Sequence, residues 1–516
     1  MNFHLRELLA VTSVVLSAAL GTPARAASGS GTSVDWPSYN NDVASDRYAE
    51  TSLITPSNVS GLHVVCSLKL GGPINFQTAP IVVAGILYTT RGNQTFALNA
   101  ATCAPVWTNT YAKGSASQQT RGLAYAAGQL FRGYADGTVA AISTSTGATT
   151  WQTSAIATGS FEKIYAAPIA WNGEVLLGTD DVDEAQVCHV FALDAATGKM
   201  LWSKQTVPNE SDSAASSWKG STHIAGGSMW SSFTVDPATG SLFVPIGNPE
   251  PDYDTRQRLG LNLYTNSVLQ LASTNGALQH GFQFESQDDH DWDQAATPAI
   301  VTLGNGTKIA LVAGKDGYLR ALDLATFKQS WKTAVTTISN ASAAIATSGT
   351  HYCPSGGTLW NGAAYSPATG LAYVNSVDQC VTVDLDASPQ AYVAGKPWLG
   401  SSNSNGTLDS TRSGWLYAVD ATTGAVAWRY HSTLPMLAGV TPTSGGLVFT
   451  ADLLGNVLAF NATSGTLLAS VSTSLPTGGG VISYEVAGKQ YIAVAAGMTG
   501  NFKTPSVNSE IVILGL

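Results

Sequence analysis

Carboxylates are scarce in this chain, so the places where they gather stand out. Only 11% of residues are charged, yet Asp180, Asp181, Asp183 and Glu184 fall almost side by side. Asp252 and Asp254 follow the turn Gly247-Asn248-Pro249, and Asp288, Asp289, His290, Asp291 and Asp293 form a third cluster. Carboxylate and amide oxygens held together are the ligands of a hard cation such as Ca²⁺, and a single positioned carboxylate can act as a general base. The competing readings are structural. The first cluster could be an exposed acidic loop, and the other acids could serve turns and loops, so none is assigned as a base. Lys315 stands just before Asp316-Gly317, a hairpin dipeptide in which a lysine often has only a turn role. No C-x-x-C-H and no C-x-x-C occurs, so haem attachment to this chain and a cysteine zinc site are both unsupported.

The elements that must position these residues are written as a repeated phrase. It consists of a small residue, an apolar one, Asp or Asn, two positions, Thr-Gly, three positions and Trp. It reads Ala192-Leu193-Asp194-Ala195-Ala196-Thr197-Gly198 with Trp202, and Ala418-Val419-Asp420-Ala421-Thr422-Thr423-Gly424 with Trp428. Looser copies end at Trp107, Trp151 and Trp331, and degenerate ones span 271–280 and 459–469. Between the phrases lie short strands rich in Val, Ile, Leu and Tyr, at 79–89, 128–132, 174–178, 241–245, 308–313 and 446–450. Asp136-Gly137, Asn172-Gly173, Asp316-Gly317 and Gly445-Gly446 punctuate them as hairpins. Helical periodicity is nearly absent; the one clear helix start is Thr55-Pro56-Ser57-Asn58.

Four-strand units at roughly 45–60 residues each read as propeller blades, and about 490 residues make seven or eight of them. We adopt eight: an all-β, eight-bladed β-propeller occupying residues 27–516. A Trp at a fixed place in each blade can stack on a neighbouring blade's backbone, burying on the order of 200 Å². The five Trp of the phrase are therefore read as scaffold. Residues 333–350 and 401–413, rich in small and polar types, read as surface loops.

Bulk composition narrows the classes. The full chain has 516 residues and a net charge of −10 without a basic patch, which excludes nucleic acid as a natural partner. No apolar stretch beyond the N-terminus is long enough to span a bilayer. Arg6, the apolar run 8–20 and Ala24-Arg25-Ala26 read as a secretory signal, residues 1–26, and imply a periplasmic or secreted protein. Export fits disulfides. Cys353 and Cys380 flank one strand pair and are expected to bridge; Cys66 with Cys103 is the second candidate, leaving Cys188 alone.

Several segments do not serve the repeat. Trp36-Pro37-Ser38-Tyr39-Asn40-Asn41-Asp42, Arg121-Gly122-Leu123-Ala124-Tyr125, Gly247-Asn248-Pro249, Asn262-Leu263-Tyr264-Thr265, Trp360-Asn361-Gly362 and Tyr484-Glu485-Val486 occur in this order. In that order the chain resembles the pyrroloquinoline quinone (PQQ) dependent alcohol dehydrogenases, including propellers similar to polyvinyl alcohol dehydrogenase. The resemblance implies PQQ and Ca²⁺ in the channel, an alcohol substrate, and a separate electron acceptor such as a cytochrome c. It implies that Arg121 and Lys315 bind the quinone and that Trp230, which lies outside the repeated phrase, forms the floor beneath it. It implies Asn248 as a metal ligand, with Asp183 or Glu184 as the carboxylate ligand.

The chain also departs from that pattern. The resemblance places the family's catalytic base in a phrase Ser-x-x-x-Leu-Asp-x-x-x-Gly, which here runs from Ser267 to Gly276 with Ala272 at the base position. An adjacent Cys pair is replaced near Ser115-Ala116, and an Asn that contacts the quinone is replaced by Leu359. Two functions therefore stand: a quinoprotein oxidoreductase acting on an alcohol, or a catalytically impaired propeller serving as a binding or scaffold protein.

Overall fold

The computed structural model describes residues 33–403, 406–500, 502 and 504–516. The secretory-signal reading of 1–26 lies outside the described residues. Among these residues the chain forms eight four-stranded antiparallel sheets and one three-stranded sheet, which is compatible with eight blades. The expected all-β propeller is the observed fold. The ring closes where His63–Gly71 pairs with Ser509–Gly515, so that the first and last strands share one sheet. No helix among the described residues is long and apolar enough to cross a membrane.

The strand patterns follow from position in the blade. The second strand of the fourth blade, Ser241–Ile246, is buried at every residue because sheets cover both of its faces. The outermost strand Thr149–Ser154 alternates exposed and half-buried residues because only one face is covered. Between adjacent blades the cores are apolar: Leu176 and Ala192 of the third blade pack with Leu242, Val244 and Leu269 of the fourth.

The repeated phrase is a docking device. The indole N–H of Trp107 donates to Thr144 O at 2.9 Å, Trp151 to Ala195 O at 3.0 Å, and Trp202 to Ser273 O at 2.7 Å. Trp331 and Trp428 likewise donate to Ala421 O and Ala462 O. Each Trp thus caps the glycine turn at the matching place in the next blade. That turn needs glycine: Gly424 has φ 76°, and a Cβ on it would come within 2.8 Å of the Trp331 ring.

Some local expectations change. The strand expected over 79–89 is a hairpin, Ile81–Val83 and Ile86–Arg91, broken where Ala84 and Gly85 take positive φ. The helix start at Thr55 yields a single 3₁₀ turn, Val59–Gly61, and no longer helix follows because the chain passes directly into the strand His63–Gly71. Within 333–350 the first two residues belong to the strand Lys328–Ala334 and Thr350 opens another, so the loop is shorter than expected. Both expected disulfides are present, Cys66–Cys103 and Cys353–Cys380, and Cys188 is free and buried.

Candidate active site

In each sheet the turns joining strands one to two and three to four lie on one face, and the remaining connections lie on the other. In the third, fourth and fifth blades this second face carries the site. Asp183 lies between Glu174–Gly178 and His189–Asp194, and Asn248 between Ser241–Ile246 and Ser267–Ala272. Lys315 lies between Lys308–Ala313 and Tyr318–Asp323, and Asp293 in the link into Ala299–Thr302. Arg121 and Trp230 occupy the links that enter the second and fourth blades.

Backbone contacts lock these segments together. Gly227 N–H donates to Asn248 O at 2.9 Å and Gly247 N–H to Ser228 O at 2.9 Å. The approach is close enough that a Cβ on Gly226, which has φ 89°, would lie 2.6 Å from Asn248 O. Asn248 N–H donates to Asp293 Oδ1 at 2.9 Å. Lys315 N–H donates to Asp293 O at 3.0 Å. Asp293 is therefore the junction of three loops.

Arg121 is 4% exposed, and its Nε donates to Trp230 O at 3.1 Å. Its guanidinium carbon lies 5.0 Å from the Trp230 ring centroid and 4.6 Å from that of Trp360. Its Nη1 is buried without a partner. Burial lowers the guanidinium to about 10 against the opposing pull of Tyr39, Asp180 and Tyr165. Lys315 Nζ lies 5.9 Å from the Trp230 centroid, 2.8 Å from Asp291 Oδ1 and 2.6 Å from Asp293 Oδ2. Burial disfavours this ammonium, but Asp291 and Asp293 outweigh it and hold it well above its usual value. Arg121, Trp230 and Lys315 are thus assembled as a flat indole surface flanked by two cations. An unpaired buried guanidinium nitrogen beside that surface suits the oxygens of a planar anionic quinone.

Of the two candidate acids, Asp183 is brought in and Glu184 is not. The oxygens of Asp183, Glu250 and Asp252 lie within 4.8 Å of one another. Glu184 turns to Lys163 at 3.7 Å. Val182, Asp183 and Ala185 all have positive φ, so the backbone winds and neighbouring side chains diverge. Glu250 Oε2 and Asp252 Oδ1 are buried without hydrogen-bond partners. Burial pushes Asp183, Glu250 and Asp252 well above the usual carboxylate range, and neighbouring carboxylates add to it. Burial likewise raises Asp180 and Asp291 to about 7. Carboxylates in this state suit a hard cation.

Ala272 is not at the site. It pairs with Ser241 at the far end of its strand from Ser267, roughly 17 Å away at about 3.3 Å per residue. It opens a Thr-Gly-type turn, with Gly276 N–H donating to Ala272 O, and that turn receives Trp202. An Asp there would serve the turn, as Asp194 does by accepting from Thr197. The carboxylates that meet the site are Asp291 and Asp293, from the cluster whose sequence suggests loop chemistry. Asp288 does have such a role, accepting from the amides of His290 and Trp292. Asp254 also holds a local turn, on Arg256. The signal for Asp293 was its place in Trp292-Asp293, beyond the outer strand and outside the repeat.

A cavity of about 400 Å³ has Asp183, Asp291, Lys315, Tyr253, Tyr352 and Leu359 in its walls. Leu359 packs with Trp230 and Trp360, giving this wall an apolar face where the resemblance expects an amide.

Comparison with known proteins agrees with this fold. Residues 36–331 match the PQQ family described as the β-propeller domain of glucose/ethanol/alcohol dehydrogenases, and residues 412–501 match the family of outer membrane protein assembly factor BamB. The chain belongs to the PQQ dehydrogenase propeller family. It is 26% identical to quinohemoprotein alcohol dehydrogenase ADH-IIG of Pseudomonas putida, over 91% of this chain and 73% of the relative. It is 26% identical to quinoprotein alcohol dehydrogenase PedH of the same species, over 89% and 85%. Two solved structures share the fold. Quinohemoprotein alcohol dehydrogenase of Comamonas testosteroni has TM-score 0.84 at 24% identity, over 93% of this chain and 80% of that one. A europium-containing methanol dehydrogenase has TM-score 0.82 at 23% identity, over 94% and 98%.

Proposed function

We propose that this protein is an exported, periplasmic or secreted oxidoreductase that oxidises an alcohol with PQQ and a hard cation of the calcium class. It passes electrons to a separate acceptor such as a cytochrome c. One observation carries the reading: Arg121 and Lys315 flank the Trp230 ring, and Arg121 Nη1 is buried without a partner. The names of its relatives as quinoprotein alcohol dehydrogenases support the same reaction.

A bound quinone would supply a hydride acceptor for the alcohol carbon, and a cation held by Asp183 and Asn248 would supply Lewis-acid chemistry. Trp230 provides the floor, Arg121 binds quinone oxygens, and Lys315 lies against the same ring system. Asp183 and Asn248 hold the cation. Asp293, fixed by Asn248 N–H and Lys315, accepts the hydroxyl proton of the substrate. Asp291 shares the Lys315 ammonium from the cavity side and keeps that ammonium charged. Tyr253, Tyr352 and Leu359 line the cavity that receives the carbon chain of the alcohol.

The scaffold alternative drew on Ala272, and it loses that support because Ala272 belongs to a docking turn. The test is reconstitution. The purified protein with PQQ and Ca²⁺ is expected to show stoichiometric quinone absorbance, metal-dependent thermal stabilisation and dye-linked oxidation of an alcohol. Absence of quinone binding with both present would overturn the reading.

A further inference from the structure

We propose that Arg412 and Gln379 form a carboxylate-binding subsite in the wall of the cavity, and that the preferred substrate is an alcohol carrying a carboxylate at the end remote from its reacting hydroxyl. This rests on the alcohol oxidation proposed above and names the class of alcohol.

The sixth blade builds this wall. A long excursion joins its strands Leu371–Asp378 and Ser413–Asp420; Gln379 opens the excursion, Arg412 closes it, and both line the cavity. The two ends are held together, because Val381 pairs with Leu408 and Asp409 N–H donates to Cys380 O at 3.0 Å. Ser355, also in the wall, donates its N–H to Gln379 O at 2.7 Å, and the Cys353–Cys380 disulfide clamps the same two segments. Gln379 is 3% exposed, and its Nε2 is buried with no acceptor. Of the basic side chains around the cavity, Lys315 is engaged by Asp291 and Asp293, and His290 Nδ1 lies 2.6 Å from Asp289. Arg412 is half-buried and, among the described residues, makes no ion pair or side-chain hydrogen bond. The acids of the adjoining hollow, Asp378 and Asp409, are taken up elsewhere: Asp378 accepts from Trp415 Nε1 at 2.8 Å, and Asp409 meets His351 at 3.2 Å.

Two donors without acceptors thus share one wall, and one of them is a free guanidinium. Its rigid fork matches a carboxylate bidentately, and a buried amide donor left unpaired gains by meeting an anion. Neither Arg121 nor Trp230 lines this cavity, so these donors are separate from the floor assigned to the quinone. The charge pattern also orients a substrate. Asp183 of the third blade and Asp291 repel a carboxylate, and Arg412 of the sixth attracts it. The anionic end is therefore kept at Arg412, which leaves the hydroxyl end for the side of the cavity that carries Asp183 and Lys315.

The test compares ω-hydroxyhexanoate with hexanol. In the protein reconstituted with PQQ and Ca²⁺, the hydroxy acid is expected to have a kcat/KM about tenfold or more above that of the alcohol, with the difference in KM. The preference is expected to shrink as salt is raised. Arg412→Gln is expected to bring the ratio close to unity, and Arg412→Lys to keep part of it. Calorimetric titration with hexanoate, which cannot be oxidised, reads the subsite without turnover: it is expected to bind about tenfold more tightly than hexanol and to lose that advantage in Arg412→Gln. Equal kcat/KM for the two substrates, a ratio unchanged in Arg412→Gln, or hexanoate binding insensitive to that substitution would overturn the inference and leave alcohol oxidation standing. A weaker grip on PQQ in Arg412→Gln with the ratio retained would also overturn it, by giving these donors to the quinone. Arg412-dependent hexanoate binding with neither substrate oxidised would support the subsite and overturn the oxidoreductase reading.

Discussion

Asn248 N–H donates to Asp293 Oδ1 at 2.9 Å, and Lys315 Nζ lies 2.6 Å from the other oxygen of the same carboxylate. One side chain thus joins the loop assigned to the cation with the loop assigned to the quinone. A substrate hydroxyl reacting between those two groups must come within reach of Asp293.

Asp293→Asn is therefore expected to lower kcat by about 10²–10⁴-fold with quinone still bound. Asp291→Asn, which leaves Asp293 on Lys315, is expected to cost less. Steady-state kinetics of the reconstituted variants in a dye-linked assay make the comparison, and a larger loss at Asp291 would move the base there.

Arg121→Leu removes the guanidinium between Trp230 and Trp360. Loss of a charged hydrogen bond worth about 1.5–3 kcal/mol is expected to weaken PQQ binding by roughly 10–150-fold, read by titrating tryptophan fluorescence. Unchanged affinity would remove Arg121 from the quinone site.

Ala272→Asp should not rescue or raise turnover, because the position is a blade turn. It is expected instead to add about 0.5–1.5 kcal/mol of stability through a turn hydrogen bond, as Asp194 supplies in its own turn. Denaturant unfolding measures the stability, and an increase in kcat would refute the placement.

The metal-free protein should lose stability as pH rises. Asp180 and Asp291 titrate at about 7 in the fold, above an unfolded value of about 3.9. Between these values the folded state holds protons that the unfolded state has released. The stabilising contribution is complete below about pH 4 and disappears as pH passes 7. The melting temperature is expected to fall between pH 5 and 8 (on the order of that window) and to flatten on adding the cation. A rise across the same window would contradict the burial of these acids.

Gly424→Ala tests the docking device. Positive φ and the overlying Trp331 ring both oppose a methyl group, and a loss of about 1–3 kcal/mol is expected, measured by urea unfolding.

The sequence by itself determined the propeller. In five copies the phrase specifies one local event: its closing indole donates to a positive-φ glycine turn of the next blade. Such contacts depend on residue type and spacing, and both can be read along the chain. Arg121, Trp230, Asn248 and Lys315 stood out because the phrase does not account for them and the family resemblance singles them out. What only the tertiary structure decided is which acids meet them. Asp293 and Glu184 look alike in sequence, and so do Asp252 and Asp254. Whether each faces the cation, a lysine or its own turn is set by how loops from three blades cross. Ala272 shows the same limit from the other side: a motif match placed it at the chemistry, and the register of its strand places it at the far end of the blade.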